Sequence, residues 1–226
     1  MSASGPLLAL DSGSPLVSVA IGRNGTVIAE RAEVVERSST RLLQLIREVL
    51  DEAGLAPGDL GGILALSGPG SFTGLRIGLA TAYGFHQALG LPAAALPTLR
   101  VLASFAPEGS RVALGAVDAL RGEWSVQPFR PGAAPEAAGE VAILAPAQLA
   151  PFAPAAVVGF GIAALAARAG WPEGLTAIEP GPLAPVALRL AAAETPSWDA
   201  GALTRPLYAR PPAATLPKPR AAAAPR

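Results

Sequence analysis

The sequence predicts an α/β protein built as two lobes, with mixed sheets flanked by helices. The first observation is the order strand, strand, strand, helix, strand, helix in the first half, which recurs in eroded form in the second. The second is the composition, 51% hydrophobic and 15% charged, which suits strands and helices that are mostly covered. A length of 226 residues leaves room for one large domain or two small ones.

Three strands are expected at the start of the chain. Residues 7–12 form a short apolar run, residues 16–22 alternate in part, and residues 26–31 follow an Asn24-Gly25 pair. Asn-Gly between two such runs is a strong hairpin signal, so the second and third strands should pair.

A first helix is expected over residues 39–53. Ser38 or Ser39 supplies a cap, and Gly54 stands where a helix commonly ends. One apolar face follows helical spacing: Leu42, Leu45, Ile46, Val49, Leu50 and Ala53. With Leu43 the apolar arc widens to about 160°, more than one sheet contact needs. Deep burial within the chain and a subunit interface both explain this arc.

A strand over residues 61–67, a glycine-rich turn over 68–74 and a second helix over 73–89 follow. This helix carries one full charge, Arg76, and two rows of small residues: Gly74, Gly78 and Ala82, and Ala80, Gly84 and Ala88. A helix that is apolar nearly all round must be covered nearly all round. Its own sheet covers one side, so another helix or another chain should cover the other.

The remaining pattern predicts an N-terminal lobe over residues 1–106, a reduced C-terminal lobe over 107–209 and a disordered tail over 210–226. Five prolines and many alanines leave the tail little to pack. Before the boundary we expect a strand over 91–96 and a short helix over 98–105. Beyond it we expect strands over 111–118, 123–129 and 155–160, a loop over 131–139, and helices over 161–169 and 183–194.

Composition excludes several function classes. Because 17 basic and 17 acidic residues give a net charge of zero, no global field attracts nucleic acid, and any RNA contact should be local or made through a partner. The absence of cysteine removes thiol chemistry, and the single histidine, His86, has no second ligand at helical spacing. The uncharged stretch 141–167 is broken by Pro and Gly, so we expect a cytoplasmic protein without a membrane span.

Two turns are candidates for chemistry. Asp11-Ser12-Gly13, at the end of the first strand, suits a metal-bound phosphate, although the ordinary turn-forming role of these residues is the favoured explanation. The turn 68–74 suits either an anion site at the helix start or close backbone packing. It lacks the lysine of a phosphate-binding loop and the GxGxxG spacing. Serine hydrolase chemistry is disfavoured because no serine has an evident His/Asp partner set.

Several motifs together resemble the TsaB (YeaZ) family. They are Leu8-Ala9-Leu10-Asp11-Ser12, Ser39-Thr40-Arg41-Leu42-Leu43, the specific run Gly68-Pro69-Gly70-Ser71-Phe72-Thr73-Gly74-Leu75-Arg76-Ile77-Gly78, Val117-Asp118-Ala119-Leu120-Arg121-Gly122-Glu123, and Arg205-Pro206-Leu207-Tyr208-Ala209-Arg210. The resemblance spans residues 7–210. This chain departs from the family pattern at Ser38-Ser39, where many members have His-Ser, and at Gln44, where they have proline.

The resemblance implies an actin/hexokinase-like fold with two related lobes. It also implies a non-catalytic subunit that pairs with TsaD, which installs threonylcarbamoyl on the adenosine 3′ of the anticodon in tRNAs that read codons beginning with A. A TsaE-type ATPase would join the pair, tRNA would be met indirectly, and the chain would form a homodimer when alone. The alternative is a small ATP-dependent phosphotransferase of the same superfamily that uses Asp11 with Mg²⁺. A glycoprotease is disfavoured by the single histidine.

Two sets of residues follow from the resemblance. The expected partner interface draws on the first two helices: Leu42, Leu45, Ile46, Val49, Leu75, Leu79, Ala82 and Tyr83. Leu79→Asp is expected to abolish pairing. The candidate nucleotide-proximal residues are Asp11, Ser12, Gly68, Gly70, Ser71 and Thr73. No catalytic residue, metal ligand or cofactor of its own is expected, and ATP with Mg²⁺ is expected only near the partner interface.

Overall fold

A computed structural model describes residues 5–34, 38–168 and 170–210, without the side chains of residues 38–40. The first sheet has the order β3-β2-β1-β4-β5. Its strands are β1 (Leu7–Asp11), β2 (Leu16–Arg23), β3 (Thr26–Val34), β4 (Gly62–Gly68) and β5 (Ala93–Pro97). β2 is antiparallel to both of its neighbours, β1 and β3, whereas β4 pairs parallel with β1 and β5 pairs parallel with β4. The predicted mixed sheet is confirmed.

Three helices belong to this half: α1 (Ser38–Ala53), α2 (Phe72–Leu89) and α3 (Thr98–Ala103). Gly54 and Gly90 follow the first two with φ of +64° and +67°, the left-handed conformation that glycine adopts at helix ends. The Ser71 hydroxyl caps α2 by accepting the Gly74 N–H at 3.3 Å. The predicted helices are therefore confirmed to within two residues at each end.

The second sheet has the order β11-β10-β6-β7-β8, with β9 paired on β7. Its strands are β6 (Ala113–Asp118), β7 (Trp124–Arg130), β8 (Glu136–Ala137), β9 (Ala142–Leu144), β10 (Ala155–Val158) and β11 (Leu175–Ile178). α4 (Ile162–Ala166), α5 (Leu183–Ala193) and a 3₁₀ segment at Pro146–Phe152 complete this half. β9 and β11 were not predicted, and β8 lies in the stretch predicted as a loop.

Both sheets share one topology. An antiparallel hairpin, β1–β2 or β6–β7, is followed by two strands parallel to its first strand. The repetition is the two-lobed, actin/hexokinase-like architecture implied by the sequence motifs.

The sheets enclose a shared helical layer. α3 packs on β6, and α5 packs on β1 and β2. Side chains alternate accordingly along β1: Leu8 and Leu10 join α1 in the outer core, whereas Ala9 joins α3 and α5 between the sheets. A third core, which includes Leu149 and Ile162, covers the far face of the second sheet.

The last described segment, residues 199–210, returns to the first lobe, and we call it the strap. Leu203 is buried in the outer core, and the Leu207 N–H donates to the Ser67 carbonyl at 2.7 Å. Arg210, predicted as the start of the disordered tail, instead pairs with Glu123 of the second lobe. The rest of that predicted tail, residues 211–226, lies outside the described residues.

Candidate functional site

The glycine-rich β4–α2 turn packs directly on the β1–β2 turn. The Ser71 N–H donates to the Gly13 carbonyl at 2.8 Å, and the Ser12 hydroxyl donates to the Gly74 carbonyl at 2.8 Å. A Cβ at Gly74 would lie 1.9 Å from the Ser12 carbonyl oxygen, and one at Gly70 would lie 2.7 Å from that of Gly13. Because this backbone contact leaves no room for a side chain at Gly70 or Gly74, close packing accounts for the glycine-rich turn. An anion site is not needed to explain these glycines.

Asp11 lies beside this contact and is 1% exposed. Its Oδ1 accepts the N–H groups of Gly13 and Ser14 at 3.0 and 3.2 Å, while its Oδ2 finds no hydrogen-bond partner among the described residues. Burial raises the pKa of Asp11 to about 6, although hydrogen bonds from Ser14 and Gly13 oppose the shift. The carboxyl therefore holds the β1–β2 turn in shape and titrates near pH 6.

A cleft of about 1110 Å³ opens between the turns of the two lobes. Of the six candidate nucleotide-proximal residues, Ser12, Gly70 and Ser71 line it, whereas Asp11, Gly68 and Thr73 do not. The β6–β7 turn forms the opposite wall, and Tyr208 and Arg210 of the strap lie at its edge. The structure thus brings together half of the predicted set.

The β6–β7 turn is held in an uncommon backbone conformation. Leu120, Arg121 and Gly122 have φ of +66°, +59° and +78°. Side chains such as leucine rarely occupy this left-handed region. The Asp118 Oδ1 accepts the Leu120 N–H at 2.7 Å, which fixes the start of the turn and presents Arg121 to the cleft.

The cleft residues do not fit ATP with Mg²⁺ in the way that the phosphotransferase alternative requires. Asp11 lies outside the cleft lining, and the backbone of Ser12 and Gly13 fills the space against the glycine-rich turn. In residues 5–34, 38–168 and 170–210, no group of three or more His, Asp or Glu side chains is placed to hold a metal ion. Mg²⁺ at a phosphate normally uses one or two carboxylates that reach the ligand.

The expected partner residues must be corrected. Leu42, Leu45, Ile46, Val49, Leu75, Leu79 and Ala82 are each at most 2% exposed and pack inside this chain. The reason is that a helical apolar series marks the face a helix lays on its own sheet. Of the eight, Tyr83 alone is exposed, at 38%. Leu79→Asp would therefore place a carboxylate in the core, disrupt folding and leave pairing untested.

An uncharged groove of about 600 Å³ lies instead between the outer faces of α1 and α2. Its lining is Leu43, Pro57, Ala80, Thr81, Gly84, Phe85, Ala88 and Leu89. Leu43 and Leu89 are 60% and 41% exposed. The sequence signals for it were Leu43, the large apolar residue outside the α1 series, and the small-residue row Ala80, Gly84 and Ala88 of α2.

The two small-residue rows of α2 serve different faces. Ala80, Gly84 and Ala88 line the open groove, and a Cβ at Gly84 would meet nothing within 4 Å. In the other row, a Cβ at Gly78 would lie 2.4 Å from the Ser12 hydroxyl oxygen. One row therefore packs against the chain itself, and the other is free to receive a neighbour.

His86 has a structural contact. Its Nδ1 lies 2.7 Å from the Leu91 carbonyl, and because a carbonyl oxygen only accepts, this nitrogen carries the proton. The ring also lies 5.9 Å from that of Tyr83. The contact ties the end of α2 to the start of the following segment.

Comparisons with known proteins agree on one family. A family model described as tRNA N6-adenosine threonylcarbamoyltransferase (TsaD) matches residues 25–155. A solved structure, YeaZ from Pseudomonas aeruginosa, is 30% identical with a TM-score of 0.74, covering 91% of this chain and 100% of that chain. The chain belongs to the TsaB (YeaZ) family.

TsaB relatives also match in sequence. The tRNA threonylcarbamoyladenosine biosynthesis proteins TsaB of Escherichia coli K12 and Bacillus subtilis 168 are 34% identical over 119 residues and 32% identical over 118 residues. Each alignment covers 52% of this chain and 52% of the relative, so the chain spans about half the length of the curated relatives it matches.

The TsaB family resemblance read from the motifs is confirmed, and so is the two-lobed fold that it implied. Within the part of the chain that the structure describes, no helix has both the length and the apolar character to cross a membrane.

Proposed function

We propose that this chain is a non-catalytic subunit that pairs with a TsaD-type enzyme and supports threonylcarbamoyl transfer to the adenosine 3′ of the anticodon in tRNA. The observation that carries the proposal is the uncharged groove between α1 and α2. The names of the TsaB relatives place those proteins in threonylcarbamoyladenosine biosynthesis, and the family model is that of the transferase.

The groove has the chemistry of a helix-docking surface. Charged residues are depleted in the centres of protein interfaces, and the residues that line the groove are uncharged. Exposed Leu43 and Leu89 supply apolar area at its two sides. The row Ala80, Gly84 and Ala88 lets a neighbouring helix approach closely. A TsaD-type subunit of the same family would pack a matching pair of helices here, and a second copy of this chain would occupy the groove when TsaD is absent.

The supporting role rests on what the candidate chemical groups do. Asp11 holds a turn, Ser12 and the glycines pack against each other, and His86 bonds a backbone carbonyl. None of these groups is arranged as a nucleophile with a base. Within the proposal, a TsaE-type ATPase joins the complex in the cytoplasm, ATP with Mg²⁺ belongs near the partner interface, and no cofactor is bound by this chain alone.

Co-expression with the TsaD-type subunit of the same genome tests the proposal. Gly84→Glu places a carboxylate in the groove at an open position, and Gly132→Glu makes the same change in a second-lobe loop where a Cβ also meets nothing. Chromatography with light scattering should show a mixed complex for the unaltered chain and Gly132→Glu, and a loss of at least about 100-fold in affinity for Gly84→Glu, because the carboxylate would be buried unpaired.

Both variants should unfold at or above the temperature of the unaltered chain, because glycine is unfavourable inside a helix and neither new side chain meets a neighbour. Nucleoside analysis of tRNA from the reconstituted reaction should show threonylcarbamoyladenosine falling in step with pairing. Retention of the mixed complex by a folded Gly84→Glu would refute the groove as the docking site. Full modification without this chain would refute the supporting role.

A further inference from the structure

A row of ion pairs joins the edge strand β3 to α1, and we call its five residues the ion-pair row: Arg31, Glu33, Arg41, Glu48 and Glu52. Arg41 holds both carboxylate oxygens of Glu33, at 2.8 Å from Nε and 2.5 Å from Nη2. Its Nη1 donates to Glu48 at 2.7 Å. Arg31 pairs with Glu52 and lies 3.9 Å from Glu48. Because positions 41 and 52 are about three turns apart, the row follows most of the length of α1.

The row lies on the flank of α1 that faces away from the groove. Side chains alternate along a strand, so the two β3 members of the row lie on the face that also carries Ala29, which is buried in the outer core with α1. At about 100° per residue, the three α1 members of the row fall within about 40° of one another. Leu43, which lines the groove, lies about 160° from them. One flank of α1 is therefore ion-paired to β3, and the other borders the open groove.

The apolar contacts of α1 set its depth on the sheet, whereas the ion-pair row sets its position across the sheet. Burial of apolar side chains is non-directional, so it resists a sideways shift of the helix only weakly. On the groove side, a space of about 600 Å³ separates α1 from α2. On the other side, β3 is the outermost strand of the first sheet in the part of the chain that the structure describes. The row supplies directional contacts that hold α1 between these two boundaries.

The geometry of the row makes it stronger than an isolated surface pair. Single exposed ion pairs contribute little to stability, whereas two-point arginine–carboxylate contacts and networks of charges contribute more. Arg41 makes the two-point contact and bridges β3 to α1, and its side chain is 28% exposed. Its hydrogen bonds lower the pKa of Glu33, so this carboxylate stays charged throughout the neutral range. Salt, rather than a change of pH near neutrality, is therefore the condition that weakens the row.

We propose that the ion-pair row positions α1 for pairing, so that the groove between α1 and α2 has its docking width before a partner binds. The inference rests on the proposed function in taking a TsaD-type subunit as the occupant of the groove. It goes beyond that function by assigning control of pairing to residues that do not line the groove. A surface that is already ordered loses less conformational freedom on binding, so its affinity is higher. Arg41 is a positioning residue in this scheme, because it acts through α1 rather than on the partner.

A double-mutant cycle in the affinity for the TsaD-type subunit, measured by calorimetric titration in 50 mM KCl, tests the proposal. Arg41→Met keeps the apolar stem but removes the guanidinium, and Glu33→Gln removes the charge of its two-point partner. Each should weaken pairing by about three- to tenfold, and the two together by no more than about twofold beyond Arg41→Met alone, because both remove one contact. Arg41→Lys, which keeps the charge without the planar fork, should recover only part of the affinity.

Three further measurements separate the row from general effects of charge. Arg130→Met breaks an exposed pair with Glu136 in the second lobe and should change the affinity less than about twofold. In 1 M KCl the unaltered chain and Arg41→Met should agree within about twofold, because salt screens the row itself. In the chain alone, hydrogen exchange of the α1 amides should be at least about threefold faster in Arg41→Met, with α2 unchanged.

Normal pairing by Arg41→Met in 50 mM KCl would overturn the proposal, whatever its effect on hydrogen exchange, because a row that only stabilises the fold would leave the affinity unchanged. So would a loss of affinity in Arg41→Met without one in Glu33→Gln, since Arg41 would then contact the partner directly. Failure of the unaltered chain to form a mixed complex would instead refute the proposed function. In that case, equal exchange of the α1 amides in the unaltered chain and Arg41→Met would overturn the positioning role on its own.

Discussion

The two lobes have one strand order but very different outer helices. In the first lobe, α1 has 16 residues and α2 has 18. At the equivalent places in the second lobe, the chain forms a seven-residue 3₁₀ segment, Pro146–Phe152, and the five-residue α4. Pro151, which lies inside this segment, accounts for the first loss, because proline there lacks the N–H that an α-helix needs.

Although its outer helices are short, the second sheet is still covered, because single side chains from these segments fill the outer core. Leu149 of the 3₁₀ segment and Ile162 of α4 are fully buried there. The long helices of the first lobe therefore exceed what its sheet needs. That excess carries the uncharged groove, and so the difference between the lobes identifies the part of the fold that we assign to a partner.

Substitution of a glycine in the strand–helix turns should separate the stabilities of the two lobes most strongly. Gly74→Ala would place a Cβ 1.9 Å from the Ser12 carbonyl oxygen, so we expect a loss of more than about 3 kcal/mol in the free energy of unfolding, or failure to fold. Gly161→Ala, at the equivalent turn of the second lobe, meets nothing within 4 Å but has φ of +79°, which costs about 1–2 kcal/mol. Gly84→Ala, on the open face of α2, should be neutral or stabilising. Thermal unfolding followed by circular dichroism measures all three, and equal shifts would contradict the packing role of Gly74.

Leucine truncations test whether a single buried side chain stabilises the outer core of the second lobe as much as a residue of a long helix stabilises that of the first. Leu45 of α1 and Leu149 of the 3₁₀ segment are both fully buried, so each change to alanine should cost about 2–5 kcal/mol by urea denaturation. Leu43→Ala removes a largely exposed side chain and should cost well under 1 kcal/mol. A small effect of Leu149→Ala would mean that the second outer core is loosely packed.

Sequence alone predicted the first lobe better than the second, for physical reasons. Long apolar runs with clear glycine and Asn-Gly ends predicted β1 to β5 and the first two helices. β8 and β9 have two and three residues, too few for an alternation to appear. β11 has only four.

The sequence also predicted some features of the candidate sites better than others. The glycines of the run 68–78 predicted a tight turn, because they lie where the backbone contacts the β1–β2 turn too closely for a side chain. Seven of the eight expected interface residues are buried within this chain, because a helical apolar series marks the face that a helix lays on its own sheet. The open groove was signalled only by Leu43 and by the small-residue row Ala80, Gly84 and Ala88. The contact between Arg76 and Tyr208 joins residues 132 positions apart, and no local pattern reveals it.

The buried acid that ends β1 makes the stability of the fold depend on pH. The folded-state pKa of Asp11 is about 6, above its ordinary value of 3.8, so the folded state binds the proton more tightly. Stability from this group is present below about pH 4, is lost as the pH rises to about 6, and is constant above that. Asp11→Asn should abolish this pH-dependent loss in the free energy of unfolding, which amounts to roughly 2–3 kcal/mol at 1.36 kcal/mol per pH unit. Urea denaturation at several pH values between 4 and 7 measures it. Asp118→Asn, the same change at the exposed acid that ends β6, is the control and should leave the pH-dependent loss of stability unchanged. A slope that persists in Asp11→Asn would assign it to another group.

The smallest expected effect concerns the strap that joins the lobes. The side chains of Arg210 and Glu123 are 34% and 39% exposed, so water and salt screen their attraction. A double-mutant cycle with Arg210→Ala and Glu123→Ala should give a coupling of about 0.5 kcal/mol that disappears in 1 M salt. The lobes would then be held together chiefly by α3, α5 and the core between the sheets. A coupling above about 2 kcal/mol in 1 M salt would instead make the strap a lock between the lobes, because only a desolvated pair resists screening to that extent.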